Sequence, residues 1–526
     1  MAFSDRGLVR FTRFGWICFL LIAILGVLPV PARAHVGSPD VYAEGNAGPY
    51  KLFVTVRPPV VIPGVAEIEV RVEGDGADAV SGIEIAPIPL VGEASKHPPV
   101  ADAMQQSAAQ DKQFYSGALW IMASGSWQVR FTVTGSQGTG VLSIPVAATS
   151  SSTRGMETGL GVLLGGLGLL LVAGVIGIVG AAARDAQLPP GEVASSASRK
   201  RAWIAMGVTL MVMVAAVWLG KLWWDGEAAG YARYVYKPLT MQAVVAPNQV
   251  LSLKIEDPGW LKSRKIDDFV PDHEHLMHLY LIRQPGLDVV YHLHPDQIAP
   301  GEFQLALPSI PAGDYRLYAD VVHASGFPET LVSELALPEI SGRPLAGDDA
   351  TGRAQPVASA GSSNACPASV DAGARFRLPD GYMMVWNNST TVSAKRPQVF
   401  EFSLLGPEGK PAVDMALYMG MLGHAAFVKD DGTVFAHVHP SGTVSMAALM
   451  MAAAQNKPLA NQSQPSAGMP GMTMPEPQRG AGIPNSVGFP YGFPAAGAYR
   501  IFVQMKHGQT IETAAFDACA GATKAP

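Results

Sequence analysis

Twelve histidines occur in these 526 residues, and four of them form two copies of one tripeptide, His292-Leu-His294 and His437-Val-His439, each followed by proline. In a β-strand residues i and i+2 face the same side, so each pair offers two neighbouring imidazoles. Two more histidines per copy match. His278 opens "HLYLIR" and His424 opens "HAAFVK", and each run returns through a turn to its His-x-His-Pro. His323 and His507 each lie eight residues beyond the tyrosine of a Tyr-Arg pair. With Asp431-Gly432 as a two-residue turn, His424 stands opposite His439, their Cβ atoms about 5 Å apart. Imidazoles at that separation can share one ion through bonds of about 2 Å. The spacing predicts a four-histidine metal site in each copy: His278, His292, His294 and His323, then His424, His437, His439 and His507. Proline ends each strand, so the sites are expected at a sheet end, open to solvent. The competing reading is that each histidine is an ordinary strand residue satisfied by hydrogen bonds. His273 and His275, in "DHEHLMH", have no histidine counterpart in the second copy. They either add ligands to the first site or decorate a loop.

Methionine bears on which metal. Met415, Met419 and Met421 lie just before His424, and Met469, Met472 and Met474 punctuate a Pro/Gly-rich insertion. A thioether in a solvated loop gains nothing from packing. Soft thioethers suit Cu(I), while imidazole suits Cu(II) and zinc. The mixture favours copper, with zinc as the other candidate. Core packing is the competing role for Met415–Met421.

These residues must be positioned by something, and the order of parts is legible. Arg6, Arg10 and Arg13, an apolar run and "ARA" at 32–34 read as a signal peptide over 1–34. Short alternating runs over 35–150 predict a β-sandwich. Two apolar stretches, 158–183 and 202–224, are each long enough to span a bilayer. Arg184, Arg199, Lys200 and Arg201 lie in the loop 184–201 between them, which places that loop in the cytoplasm and the β-rich parts outside the inner membrane. Further β-rich units are expected over 231–340 and 366–520, joined by a Gly/Ala/Ser-rich linker at 341–365. The expected fold is mainly β: three extracytoplasmic Ig-like or cupredoxin-like sandwiches and two transmembrane helices.

Once the signal is removed, Cys366 and Cys519 remain, bracketing the last unit. In an oxidising compartment they are most simply a disulfide. A net charge of −6 offers no basic field, which argues against nucleic-acid binding. No Ser-His-Asp signature, G-x-S-x-G, H-E-x-x-H or Cys-His copper pair appears, so a non-enzymatic role is expected.

Cleavage after Ala34 would leave His35 as the mature N-terminus, able to chelate through its amine and ring. The start "AHVGSPDVYAEGNAGPYKLFVTVRPPVVIPGVAEIEVRV", with "SGALWIMASGSWQVRFTV", resembles the YtkA/CopC-like family of exported copper-handling β-sandwich domains. That resemblance covers about the first quarter of the mature chain. It implies a copper ligand at His35 and stops there, because the family's later Asp-x-His is absent and His97 is the domain's only other histidine. The two His-x-His-Pro units resemble exported heavy-metal-binding domains of uncharacterised mechanism. The expectation is a membrane-anchored protein that buffers, senses or delivers copper, with a copper transporter or oxidase as partner. The alternatives are a copper-dependent oxidase and an envelope interaction scaffold that binds no metal. Whether the two sites act separately or close on each other stays open at this point.

Overall fold

The computed structural model describes residues 40–522, apart from 75–78, 108–112, 154, 190, 261–263, 358–373, 389–391 and 457–481. The stretch expected to be a signal peptide, His35, Cys366 and Met469, Met472 and Met474 lie outside the described residues. Cys519 is disulfide-bonded.

The first β-rich unit is a sandwich. One sheet runs Val41–Ala47, Tyr50–Arg57, Gly64–Glu73, Phe114–Ile121, Gln105–Gln106; the other runs Asp102–Ala103, Val80–Pro89, Gly125–Gly135, Gly138–Ala148. Strict alternation in stretches such as "EIEVRV" turns Ile68, Val70 and Val72 inward onto Val129, Phe131 and Val133.

Helices Thr158–Asp185 and Ser196–Ala232 follow, both long and apolar enough to cross a membrane. The second is longer than its apolar run at both ends. Ser195 caps its start by accepting from the Ser198 amide.

The two later units are sandwiches of one plan. The first pairs a sheet of Thr240–Val245, Val250–Glu256, Glu302–Ala306, Asp296–Ala299 with one of Pro328–Leu337, Gly313–Val322, His278–Gln284, Val289–Leu293, Ala350–Arg353. The second pairs a sheet of Arg375–Arg377, Met383–Trp386, Gln398–Leu405, Ser486–Tyr491 with one in which Thr510–Gly521, Gly497–His507, His424–Lys429 and Phe435–Val438 are neighbours. The stretch expected as a linker is partly built in, because Ala350–Arg353 forms the edge strand beside Val289–Leu293.

The histidine-bearing sheets of the two repeats pack on each other. Tyr280, Ile282, Val290 and Tyr318 from the first share a core with Ala426, Val428, Phe435 and Phe502 from the second, and the rings of Tyr318 and Phe435 stack at 4.2 Å. Beside this interface, helix Met446–Ala454 covers the first sandwich with Met446 and Leu449.

Candidate metal centre

Strand register brings the histidines together in the same way twice. Leu279 pairs with Leu293 and Tyr280 with His292, so His278 and His294 are opposite neighbours, their rings 5.0 Å apart. Ala425 pairs with Val438 and Ala426 with His437, which sets His424 against His439 at 5.0 Å. The hairpin closes through the Gly432 amide donating to the Lys429 carbonyl, and the register is the one that the sequence spacing gives.

The two hairpins do not form separate sites. Because their sheets face each other, His437 lies 5.4 Å from His278, 5.5 Å from His292, 5.5 Å from His424 and 4.6 Å from His439, ring centre to ring centre. His273 of the first repeat sits 5.1 Å from His424 and 4.9 Å from His439 of the second. His275 stacks on His294 at 3.9 Å. Eight imidazoles therefore share one region. Within it, His273, His424 and His439 place one ligand atom each within 4.8 Å of one another, and His278, His292 and His294 do the same.

Burial contradicts the expectation of an open sheet end. His292 and His424 are 0 % exposed, His278 2 % and His439 3 %. Packing of sheet on sheet closes the ends that proline left free.

Hydrogen bonds fix most of the tautomers. His439 Nδ1 faces the Val444 carbonyl at 3.2 Å, His294 Nδ1 faces Asp349 Oδ1 at 3.0 Å, and His437 Nδ1 faces Asp320 Oδ2 at 3.3 Å. The first two acceptors demand N–H at Nδ1 and turn the Nε2 lone pair inward, while His437 meets Asp320 as an ion-pair contact without an aligned hydrogen bond. The Nε2 atoms of His294, His437 and His439, with His273 Nε2 and both nitrogens of His424, are buried and have no hydrogen-bond partner among the described residues. His278 is reversed: Nε2–H donates to the Asp272 carbonyl at 2.9 Å, leaving Nδ1 as a lone pair. That Nδ1 lies 3.1 Å from His292 Nε2, while His292 Nδ1 faces Gln504 Oε1 at 2.9 Å. With Nδ1–H donated to Gln504, two lone pairs confront each other, a contact only a proton or a cation between them can stabilise. Two nitrogens bound to one ion at about 2 Å each would stand about 3 Å apart.

Burial also keeps these rings neutral. Desolvation, reinforced by neighbouring imidazoles, holds His278, His292, His424 and His437 well below the usual histidine range, and brings His294 and His439 down to about 3. Neutral imidazole is the ligating form.

His323 and His507 stay outside this group. His323 bridges Asp268 at 2.7 Å and Glu329 at 2.9 Å. His507 stacks on Tyr382 at 3.8 Å and faces Asp414 and Asp380. The reason is position: each follows its cluster-lining partner, Asp320 or Gln504, by three residues, an odd offset that turns it to the opposite face and beyond the hairpin ends. Among the methionines, Met415 is buried in the second repeat's core, and Met421 packs into the first sandwich with Val444 and Met446. Met419 lies on the second repeat's turn, and its backbone is near the His273 ring.

His273 and His275 do have positional counterparts. Asp268 and Asp414 each precede the strand-opening histidine by ten residues, which aligns Asp272-His-Glu-His275 with Tyr418-Met-Gly-Met421. Both form the same turn, bridged between its first and last residues, with positive φ at His273 and Glu274 and again at Met419 and Gly420. The duplication thus carries His-x-His in one copy and Met-x-Met in the other.

The residue ranges 237–332 and 377–521 match the model of a family described as a domain of unknown function, DUF8832, which embraces both repeats. Nothing matches among curated proteins. Solved structures with similarity include a tetra-tandem repeat from the extending region of a large adhesion protein, at 9% identity over 87% of this chain and 71% of that one, with a TM-score of 0.15. The fibronectin(III)-like modules of Clostridium thermocellum CbhA match at 10% over 54% and 94%, with a TM-score of 0.18. The Escherichia coli adhesin FdeC matches at 10% over 90% and 99%, with a TM-score of 0.14. Scores this low say nothing of function, and the sandwich fold is read from this chain's own strands.

Proposed function

We propose that this chain is a membrane-anchored metal-binding protein whose paired repeats hold copper in the buried histidine centre and hand it to a partner. The observation that carries this reading is the set of inward, unpartnered lone pairs on His273, His294, His424, His437 and His439. Buried polar atoms without partners are rare in folded proteins because each costs about 1–3 kcal/mol. Here they converge, and the rings of His294 and His439 are held from behind by acceptors, as ligands are held in metal sites. An all-imidazole set suits Cu(I), Cu(II) or Zn(II). Methionine at 419, and at 469, 472 and 474 in the insertion, tilts the choice to copper and offers a soft collecting arm. The helices anchor the protein in the inner membrane, with the sandwiches outside and the basic loop in the cytoplasm. A YtkA/CopC-like first domain with His35 as a ligand belongs to the same reading. A copper transporter or oxidase fits as the partner.

A second reading follows from the architecture: three sandwiches in series on a membrane anchor form an envelope interaction scaffold, with the histidines incidental. Metal titration separates the two. Full-length protein in detergent is titrated with Cu(I), Cu(II) and Zn(II) against competing chelators, beside a His424→Ala/His439→Ala variant. Tight copper binding that the variant loses is the expected result. Weak binding equal in both leaves the scaffold, and tight binding of zinc alone replaces copper by zinc.

A further inference from the structure

The duplication leaves a second matched pair of positions outside the histidine centre, and the two copies treat it differently. Val321 pairs with Glu329 in the first repeat and Met505 with Glu512 in the second, so His323–Glu329 and His507–Glu512 are equivalent couples. Asp268 and Asp414 are equivalent too, each facing the Nδ1 of its histidine, at 2.7 Å and 3.2 Å.

In the first repeat the charge is closed internally. His323 Nε2 lies 2.9 Å from Glu329, and Arg264 reaches the same carboxylate at 2.5 Å and Asp257 at 2.9 Å. The Tyr236 hydroxyl adds a further hydrogen bond to Glu329. Every group there has a partner of opposite sign.

In the second repeat no cation takes the arginine's place: Lys410, four residues before Asp414 as Arg264 is before Asp268, is exposed and pairs with Glu408 at 3.4 Å. Asp380, Asp414 and Glu512 surround His507, and among the described residues no lysine or arginine lies within ion-pair distance of any of the three. His507 has a side chain only 8 % exposed. Its Nε2 is 2.9 Å from Asp380 Oδ2 and 3.8 Å from Glu512 Oε1, yet makes an aligned hydrogen bond with neither. One donor atom from each of Asp380, His507 and Glu512 falls within a 4.8 Å span. Tyr382 fixes the ring plane by stacking on His507 and donates its hydroxyl to Asp414. Asp380 is exposed, so the group opens to water on one side.

We propose that Asp380, His507 and Glu512 bind a divalent cation of the manganese or zinc class, which supplies the positive charge that Arg264 supplies in the first repeat. One imidazole nitrogen with carboxylate oxygens and an open aqueous face is a donor set for these ions rather than for Cu(I). Asp414 is the outer partner that holds Nδ1–H and aims Nε2 at the ion. The site is independent of the histidine centre and stands whether or not that centre holds copper.

The test is a Mn²⁺ titration of full-length protein in detergent, followed by electron paramagnetic resonance of the free ion. Wild type, Asp380→Asn, Glu512→Gln and His424→Ala are compared. Wild type is expected to take up Mn²⁺, with affinity about tenfold or more weaker in Asp380→Asn and Glu512→Gln and unchanged in His424→Ala. Asp380 is exposed, so its variant should fold, and an unchanged melting temperature checks this. No uptake by wild type, or Asp380→Asn binding like wild type, overturns the site. So does loss confined to His424→Ala, which would place the ion in the histidine centre.

Discussion

His292 Nδ1 lies 2.9 Å from Oε1 of Gln504, although 212 residues separate them in the chain. The reciprocal contact runs from His437 of the second repeat to Asp320 of the first, at 3.3 Å. Asp320 pairs with His278 and Gln504 with His424, so each repeat supplies, from the same strand position, a polar side chain that faces the other's ring. Neither half is complete alone. Gln504→Leu should therefore weaken copper binding about tenfold or more, because His292 loses the acceptor that fixes its tautomer. Gln504→Glu, which keeps an acceptor oxygen, should retain most of the affinity. Chelator competition on both variants checks this.

Among the described residues His424 has no hydrogen-bond partner for either ring nitrogen, and it is 0 % exposed. If it exists to ligate, replacing it by leucine removes two unsatisfied buried atoms while keeping most of the volume. The metal-free His424→Leu protein should then be more stable than wild type, by about 1–3 kcal/mol, and should lack the gain in melting temperature expected for wild type with copper. If the ring is structural, the same change should destabilise. Thermal melts with and without metal distinguish the two.

Acid should unfold the metal-free protein early. An unfolded histidine takes a proton near pH 6.5, whereas burial holds His294 and His439 down to about 3. Below about pH 6.5 the unfolded chain thus binds more protons, and stability falls as pH falls, by about 1.4 kcal/mol per pH unit for each such ring. Asp320, Asp349 and Glu512 oppose this. Burial raises them to about 7, about 6 and about 7, so their contributions are present at low pH and lost as pH rises through that range. With several histidines on one side, the net slope should still be destabilising below pH 6.5. Denaturant melts of metal-free protein from pH 8 to 5 measure it.

Much of this was legible in local pattern. Alternation gave the sandwiches, the apolar runs gave the helices, and turn chemistry around Gly432 gave the His424–His439 register. Faces buried between sheets were not legible, because an exposed sheet face and one that meets a second sheet read alike when both are apolar. "HLYLIR" and "HAAFVK" do carry a signal in hindsight: Leu279 and Leu281 face one core while Tyr280 and Ile282 face the other, with no polar face left over. The equivalence of His273–His275 with Met419–Met421 was hidden because side-chain identity changed while spacing and turn geometry did not. His323 and His507 did repeat, but charge partners distant in sequence decided their surroundings.

Whether the centre belongs to the interface or to either repeat alone can be asked at Phe435. Its ring is 1 % exposed and stacks on Tyr318 of the other repeat at 4.2 Å, with 6° between the planes. Phe435 lies one strand position pair before His437, so both side chains leave the same face of Phe435–Val438. Truncation to alanine should cost about 3–5 kcal/mol of stability and let the two sheets shift. A centre spanning both repeats would then lose copper affinity, although no ligand has changed. A centre confined to one hairpin would keep its affinity while the protein melted lower. Measuring copper affinity and melting temperature on Phe435→Ala separates these outcomes, and the position of His437 between His278 and His424 favours the first.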